Sequence, residues 1–60
     1  MKLLKILRKE KGLTQQQLAD MVNTTRSNIS GIERGASTPS VPLAKKMASI
    51  FDCNWTIFFG

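Results

Sequence analysis

The residues of this sequence that could do chemistry by their type and spacing form a short polar series, Arg26, Ser27, Asn28 and Gly31. They provide short hydrogen-bonding groups and one cation, and no acidic residue stands among them. If this stretch is helical, the four positions lie together, away from the apolar residues of the same helix. Base pairs present donors and acceptors in the DNA major groove, with phosphates on both sides, and such a surface can bind them. The series therefore favours a nucleic acid partner.

Catalysis is excluded by the residue types that the sequence lacks. There is no histidine and a single cysteine, Cys53, so no nucleophile–base pair, zinc-ligand cluster or internal disulfide can form. Asp20 and Asp52 are isolated, which leaves no paired-carboxylate site. We therefore expect no enzyme activity, no metal and no cofactor, and we interpret Cys53 as a small apolar core residue.

A helix beginning after Thr14 would lie just before the polar series in the chain. Thr14 is a good N-cap, because its hydroxyl can accept from the free N–H groups of a first turn. Gln17 stands three residues on, where it can reach back and complete a capping box. The helix should end near Asn23, since asparagine tolerates the left-handed conformation that terminates helices.

The polar series itself is expected on a second short helix, joined to the first by a tight turn. Thr25 is the next N-cap, the helix continues from Arg26, and Gly35 provides its C-terminal stop. The spacing of apolar residues gives both helices an inward side. The inward positions are Leu18, Ala19, Val22, Ile29 and Ile32.

The segments LTQQQLADMV, NTT and NISGIERG resemble the helix-turn-helix of the phage Cro/repressor family, also called the XRE family. The resemblance extends from about Leu4 to Phe59. It implies one lambda-repressor-like domain over residues 1–60, of all-α fold, with five short helices in one compact bundle. Helices 2 and 3 would form the helix-turn-helix, residues 14–33. The family's function implies a Cro- or repressor-like transcriptional regulator that binds specific sequences of double-stranded DNA.

The resemblance also implies DNA contacts, with helix 3 entering the major groove by its N-terminal half. Two interpretations of Gly31 stay open: close approach of the helix backbone to the groove, or no contact there. The expected base-contacting residues are Arg26, Ser27, Asn28 and Gly31. The expected phosphate-contacting residues are Gln15, Gln16, Thr25, Arg34, Ser37 and Thr38.

Arg8 and Glu33 fall on the apolar sides of their predicted helices. Arg8 resembles an arginine of the family that pairs with a glutamate near the end of helix 3, and Glu33 is the matching glutamate in this sequence. We therefore expect Arg8 and Glu33 to form a structural ion pair, since a bidentate contact would hold both charges there. The alternative is two separately solvated charges.

The first helix is predicted over residues 1–11 and is basic and amphipathic. Its apolar stripe is expected to pack on the core of the domain, and membrane binding is the less favoured alternative. The pattern is too interrupted for a signal peptide, and no stretch reaches membrane-spanning length. The stripe consists of Leu3, Leu4 and Leu7.

After the motif, Ser40 is the expected N-cap of a helix over residues 41–51. Asp52 stands where the family that this sequence resembles usually has glycine, so the resemblance implies a strained or left-handed residue there. Asn54 is expected to cap a last short helix over residues 55–59. Phe58 should fill the core, but one short helix cannot bury its other apolar residues as well. A dimer interface is therefore expected at Trp55, Ile57 and Phe59.

Nine Lys and Arg residues against four Asp and Glu give a net charge of +5, which favours a polyanionic partner. We expect binding to DNA as a homodimer because one small motif reads only a few base pairs, and no small-molecule effector is evident. The protein should be cytoplasmic, bacterial or phage-encoded, and associated with the nucleoid when bound. The alternative function is a protein-interaction module of the same fold, such as an antitoxin or an inhibitor of another regulator.

Overall fold

The computed structural model of the chain describes residues 1–59. Four α-helices are followed by a 3₁₀ helix: α1 is Lys2–Glu10, α2 is Gln15–Met21, α3 is Arg26–Glu33, α4 is Val41–Phe51, and the 3₁₀ helix is Trp55–Phe59. Residues 1–59 contain no strand, and the all-α fold class is confirmed, with the fifth helix present as a 3₁₀ helix. Within this part of the chain no helix combines the length and apolar content needed to cross a membrane.

Hydroxyl side chains begin α2, α3 and α4, as expected. The Thr14 Oγ1 atom accepts from the Gln17 N–H at 3.0 Å, and the Gln17 side chain accepts from the Thr14 N–H at 2.8 Å. Both halves of the capping box are therefore present. Thr25 caps α3 and Ser40 caps α4 in the same way, with oxygen–nitrogen distances of 3.1 and 3.3 Å. These bonds satisfy N–H groups that would otherwise lack a partner inside the helix.

Left-handed residues follow α2 and α4, where the sequence predicts them. Asn23 has a φ of 59° in the turn between α2 and α3, and Asp52 has a φ of 54° after α4. Short polar side chains tolerate this conformation better than other non-glycine residues. Residues 22–25 can therefore reverse the chain tightly, and α3 packs directly on α2.

The core fixes α3 against its neighbours on one side. Both α1 and α2 pack on α3, while α4 packs against the 3₁₀ helix. Phe58 is 4% exposed, which confirms its core position. The largest fully buried side chains are Leu4, Leu18, Ile29, Ile32 and Met47.

The outer side of α1 is more apolar than the sequence pattern predicts. Leu4 and Arg8, four residues apart, face the core, which turns Leu3 and Ile6 toward solvent. Leu3 is 40% exposed and Ile6 is 53% exposed. The expectation that Leu3 belongs to the buried stripe is therefore wrong, and α1 leaves apolar surface uncovered.

Candidate nucleic-acid interface

The residues of the polar series on α3 differ in their exposure to solvent. Arg26 and Ser27 are exposed in the first turn, immediately after the Thr25 cap. Within residues 1–59 Arg26 forms no ion pair. Its guanidinium therefore keeps its donors for an external acceptor.

Asn28 is half-buried and partly engaged inside the protein. Its Nδ2 atom donates to Thr24 Oγ1 at 2.9 Å. This bond gives the Thr24 hydroxyl a partner in the turn, and it orients the Asn28 amide. The second N–H of the amide and its carbonyl oxygen are not used in this bond.

Gly31 is buried, whereas the sequence pattern predicts it on the exposed polar side of α3. Its carbonyl oxygen accepts from the N–H groups of Ala36 and Ser37 at 2.9 and 3.1 Å. A Cβ atom at this position would stand 2.9 Å from Ser37 Oγ. The expectation that Gly31 lies open on the polar side is therefore wrong, because the loop after α3 folds over it. A base contact by Gly31 stays a prediction.

Ser30 is a residue of this surface that the sequence reasoning missed. It is half-buried and stands between two exposed arginines, Arg26 and Arg34, at the helical spacing of four residues. These three positions, the last of which is the C-cap residue of α3, form one stripe along the helix, which we call the α3 stripe. A helical projection centred on the two arginines would have found Ser30 in the sequence.

The first turn of α2 carries two glutamines whose amides are bonded to carboxylates. Gln15 Nε2 donates to Glu33 Oε1 at 3.2 Å, and Gln16 Nε2 donates to Asp20 Oδ1 at 2.9 Å. Each amide nitrogen has two hydrogens, so each keeps one further donor. Gln15 is half-buried and Gln16 is exposed.

Arg8 and Glu33 form a bidentate ion pair across α1 and α3. The Arg8 Nε atom lies 2.6 Å from Glu33 Oε2, and Nη2 lies 3.2 Å from Oε1. The remaining Nη1 donates to the Leu13 carbonyl oxygen at 2.8 Å. The side chains of the pair are 9% and 5% exposed. This pair connects α1, the start of α2 and the end of α3.

The ion pair also determines the titration of Glu33. Burial raises the pKa of its carboxyl group, but hydrogen bonds from Arg8 and Gln15 lower it, as do the positive charges of Arg8 and Lys5. The net result is a pKa below the ordinary value of 4.5. Glu33 is therefore ionised at neutral pH, which is the state that the arginine requires.

The sequence that forms these helices matches a known protein family over nearly all of the described residues. The family model described as helix-turn-helix matches residues 4–58. The chain belongs to the helix-turn-helix family. This is a class of domain found in DNA-binding transcriptional regulators.

Curated relatives of the helix-turn-helix chain carry related descriptions. It is 42% identical over 55 residues to the competence pilus inhibition repressor of Acinetobacter baylyi, covering 92% of this chain and 50% of that protein. It is 41% identical over 58 residues to the uncharacterized HTH-type transcriptional regulator YqaF of Bacillus subtilis, covering 97% and 76%. A Methanothermobacter thermautotrophicus protein, also described as an uncharacterized HTH-type transcriptional regulator, is 49% identical over 41 residues, covering 68% and 59%. The chain thus spans about half of the Acinetobacter relative.

The other predicted contact residues of the helix-turn-helix lie at the two ends of α3 and in the loop that follows it. Thr25, Arg34, Ser37 and Thr38 are all exposed. The Thr25 hydroxyl oxygen already accepts from the Asn28 N–H as the cap of α3. Ser37 and Thr38 belong to the loop that covers Gly31, so the structure brings them to the C-terminal end of the same helix.

The C-terminal apolar residues form a smaller exposed surface than the sequence predicts. Trp55 and Ile57 are half-buried and pack against the core, while Phe59 is 43% exposed. The Trp55 and Phe59 rings make an edge contact at 5.8 Å between centroids, and the Lys45 ammonium lies 5.3 Å from the Trp55 ring centre. The neighbouring Cys53 is half-buried and packs against the core, as expected of a small apolar residue.

Proposed function

We propose that this chain binds specific sequences of double-stranded DNA as a transcriptional repressor of the Cro type, with α3 in the major groove. The observation that carries the proposal is the α3 stripe, which presents two exposed arginines on the outer helix of a helix-turn-helix. Guanidinium groups suit both guanine edges and phosphates. The name of the Acinetobacter relative supports a repressor role.

Base reading is assigned to the N-terminal half of α3. Arg26 can form a bidentate contact with a guanine, and Ser27 can donate to or accept from a neighbouring base edge. Asn28 has less freedom because Thr24 already holds its amide nitrogen. We therefore assign most of the sequence preference to Arg26 and Ser27.

Phosphate contacts are assigned to residues at both ends of the α2–α3 unit. Gln15 and Gln16 each keep one amide N–H at the start of α2, although carboxylates already hold their side chains. Such contacts set the position of the protein on the duplex but carry no sequence information. The other assigned residues are Thr25, Arg34, Ser37 and Thr38.

The active form is proposed to be a homodimer. The domain measures 23 × 22 × 20 Å along its principal axes, so one copy reaches a single stretch of major groove. Paired half-sites on one side of a duplex are about 34 Å apart, which requires two copies. Phe59, together with the exposed parts of Trp55 and Ile57, provides the apolar surface for their contact.

DNA binding is tested by selecting bound duplexes from a random pool and measuring affinity for the selected sequence at several salt concentrations. We expect an affinity for the selected duplex that is at least about 10³-fold above that for random DNA. The logarithm of the affinity should fall steeply and linearly with the logarithm of salt concentration. No enrichment, or equal affinity for all duplexes, would overturn the assignment.

The dimer is tested by sedimentation of the free protein and of its complex with the selected duplex. We expect two copies per duplex, and we expect Phe59→Asp, at the exposed residue of the patch, to weaken the second binding event. Ser49→Asp, at an exposed position of α4, is the matched control and should leave it unchanged. One copy per duplex at saturation, in the wild type and both variants, would exclude the dimer.

A protein-interaction module is the second candidate, and the exposed Leu3 and Ile6 on α1 favour it. In this case the chain would act as an antitoxin or as an inhibitor of another regulator. Negligible affinity for every duplex, together with a stable stoichiometric complex that Ile6→Asp disrupts, would support it over DNA binding.

A further inference from the structure

The side of α1 that faces solvent carries apolar residues of its own. The core buries Leu4 and Arg8 of this helix, yet Leu3 and Ile6 are 40% and 53% exposed. Residues three or four apart are neighbours on a helix, so Leu3 adjoins both Ile6 and the half-buried Leu7. This spacing is typical of a helix side that packs against another element. We call Leu3, Ile6 and Leu7 the outer row.

Two lysines lie beside the outer row. Lys2 is four residues before Ile6 and Lys9 is three residues after it, so both adjoin Ile6 on the helix surface. Both lysines are exposed, and neither forms an ion pair within residues 1–59. They are seven residues apart, which is about 10 Å along the helix. Glu10 is the only acidic residue of α1, so the exposed side of this helix has a net positive charge.

The apolar and basic residues together restrict what can cover this side of α1. A second copy would bring the same positive charges close to these, and the repulsion opposes such a contact. A DNA backbone would bind the lysines but would leave Leu3 and Ile6 without apolar contacts. An anionic bilayer offers both kinds of contact, but two exposed apolar side chains bury too little surface to hold a helix at the interface. An acidic amphipathic helix offers apolar side chains and carboxylates in adjacent rows.

We propose that the outer row, together with Lys2 and Lys9, binds an acidic amphipathic helix of another protein. The apolar stripe of the partner helix lies over Leu3 and Ile6, and its carboxylates lie beside the two lysines. Since the lysines are two turns apart, carboxylates about seven residues apart on a nearly parallel helix match them. The proposal gives the chemistry of a partner for α1 and does not depend on whether α3 binds DNA.

A synthetic peptide of about twenty residues is the probe, since shorter helices are marginal in water. It carries leucines at helical spacing on one side and glutamates seven residues apart along the edge of that side. The control peptide has the same composition, with the leucines distributed around the helix. We expect the first peptide to bind at least about tenfold more tightly, because burial of one Leu or Ile side chain is worth about that factor. Equal binding of the two peptides, or no binding, would overturn the proposal.

Matched variants locate the binding surface on α1. Ile6→Ser should weaken peptide binding about tenfold. Val41→Ser, at a residue that is 45% exposed on α4, is its control and should leave binding unchanged. The double variant Lys2→Gln/Lys9→Gln should weaken binding and reduce its salt dependence, while Lys46→Gln on α4 should do neither. All these side chains are exposed, so the variants should fold. Equal effects of Ile6→Ser and Val41→Ser would place the peptide elsewhere and overturn the proposal.

The other possible occupants give different results. If the free protein self-associates and Ile6→Ser abolishes this, the outer row belongs to a second copy and the proposal fails. If vesicles of phosphatidylglycerol and phosphatidylcholine bind the wild type but not Ile6→Ser, and the peptide does not bind, the outer row belongs to a membrane surface and the proposal also fails. Affinity for the selected duplex should be the same for the wild type and Ile6→Ser. Absence of DNA binding by the wild type would overturn only the proposed function.

Discussion

Arg8 and Arg26 have the same side chain in opposite environments. Arg8 is 7% exposed, and its guanidinium donates to Glu33 and to the Leu13 carbonyl. Arg26 is exposed in the first turn of α3 and forms no ion pair within residues 1–59. A buried arginine whose donors are satisfied holds helices together, while an exposed one without an internal partner is available to bind DNA. The two should therefore differ in what their removal costs, stability in one case and affinity in the other.

The largest expected effect is on folding stability when one partner of the buried pair is removed. Arg8→Met should lower the free energy of unfolding by about 3 kcal/mol or more, because it leaves the Glu33 charge buried without a partner. Arg26→Met should change it by no more than about 0.5 kcal/mol. Urea titration followed by Trp55 fluorescence measures both.

A variant that lacks both charges keeps this comparison informative if Arg8→Met does not fold. The double variant Arg8→Met/Glu33→Met should be more stable than either single variant, since no charge is left unpaired. Additive losses in the double-mutant cycle would show that the pair has no coupling energy.

The next effect is on DNA affinity. Arg26→Ala should cost roughly 1–3 kcal/mol on the selected duplex, with relaxed preference at one base pair if the guanidinium reads a base. Lys46→Ala, an exposed cation on α4, is the control for a general loss of charge. Competition binding against duplexes altered at single positions measures the result. An equal loss for all sequences would mean that Arg26 contacts only phosphate.

A smaller loss of folding stability is expected at low pH. The pKa of Glu33 is lower in the folded state than its ordinary value of 4.5, so the group stabilises the fold at pH values above that value. This contribution should disappear as the pH falls from about 4.5 through the folded pKa. Urea midpoints measured between pH 7 and pH 3 should fall more for the wild type than for Arg8→Met/Glu33→Met. Parallel curves would show that the pair does not determine the acid response.

The smallest effect concerns Gly31. Gly31→Ala should stabilise α3 by about 0.5–1 kcal/mol, because alanine is the better helix former. The new Cβ would approach Ser37 Oγ, which is an exposed side-chain atom able to rotate away. Thermal unfolding measures the change, and DNA affinity should stay within about twofold. A tenfold loss of affinity would instead show that the contact between Gly31 and Ser37 lies against the DNA.

Local features of the fold were predictable because adjacent residues determine them. The caps at Thr14, Thr25 and Ser40 and the left-handed residue Asn23 all follow from side chains next to the backbone groups that they affect, whereas the resemblance implied the left-handed residue at Asp52. Features that depend on packing between distant segments of the chain could not be predicted from the sequence. The rotation of α1 that exposes Leu3 depends on its contact with α3, which no local pattern specifies.

In the candidate site, too, some features follow from local sequence and others depend on packing between distant segments. Helical spacing places Arg26 and Ser27 on the outer side of α3. The burial of Gly31 depends on the path of the loop at Ser37, which is distant from the residues that set the helix. The resemblance implied a pairing of Arg8 with Glu33, but the bond from Gln15 to the same carboxylate is visible only in three dimensions.

The hydrogen bond from Gln15 to Glu33 affects the entropy of DNA binding. A free glutamine side chain on a surface samples many rotamers. Immobilising such a side chain on binding costs about 0.5–1.5 kcal/mol of binding free energy. Glu33 restricts Gln15 before any duplex arrives, so this ordering accompanies folding instead of association. Truncating Glu33 should thus make DNA binding entropically less favourable, a difference that calorimetry can detect even where affinity changes little.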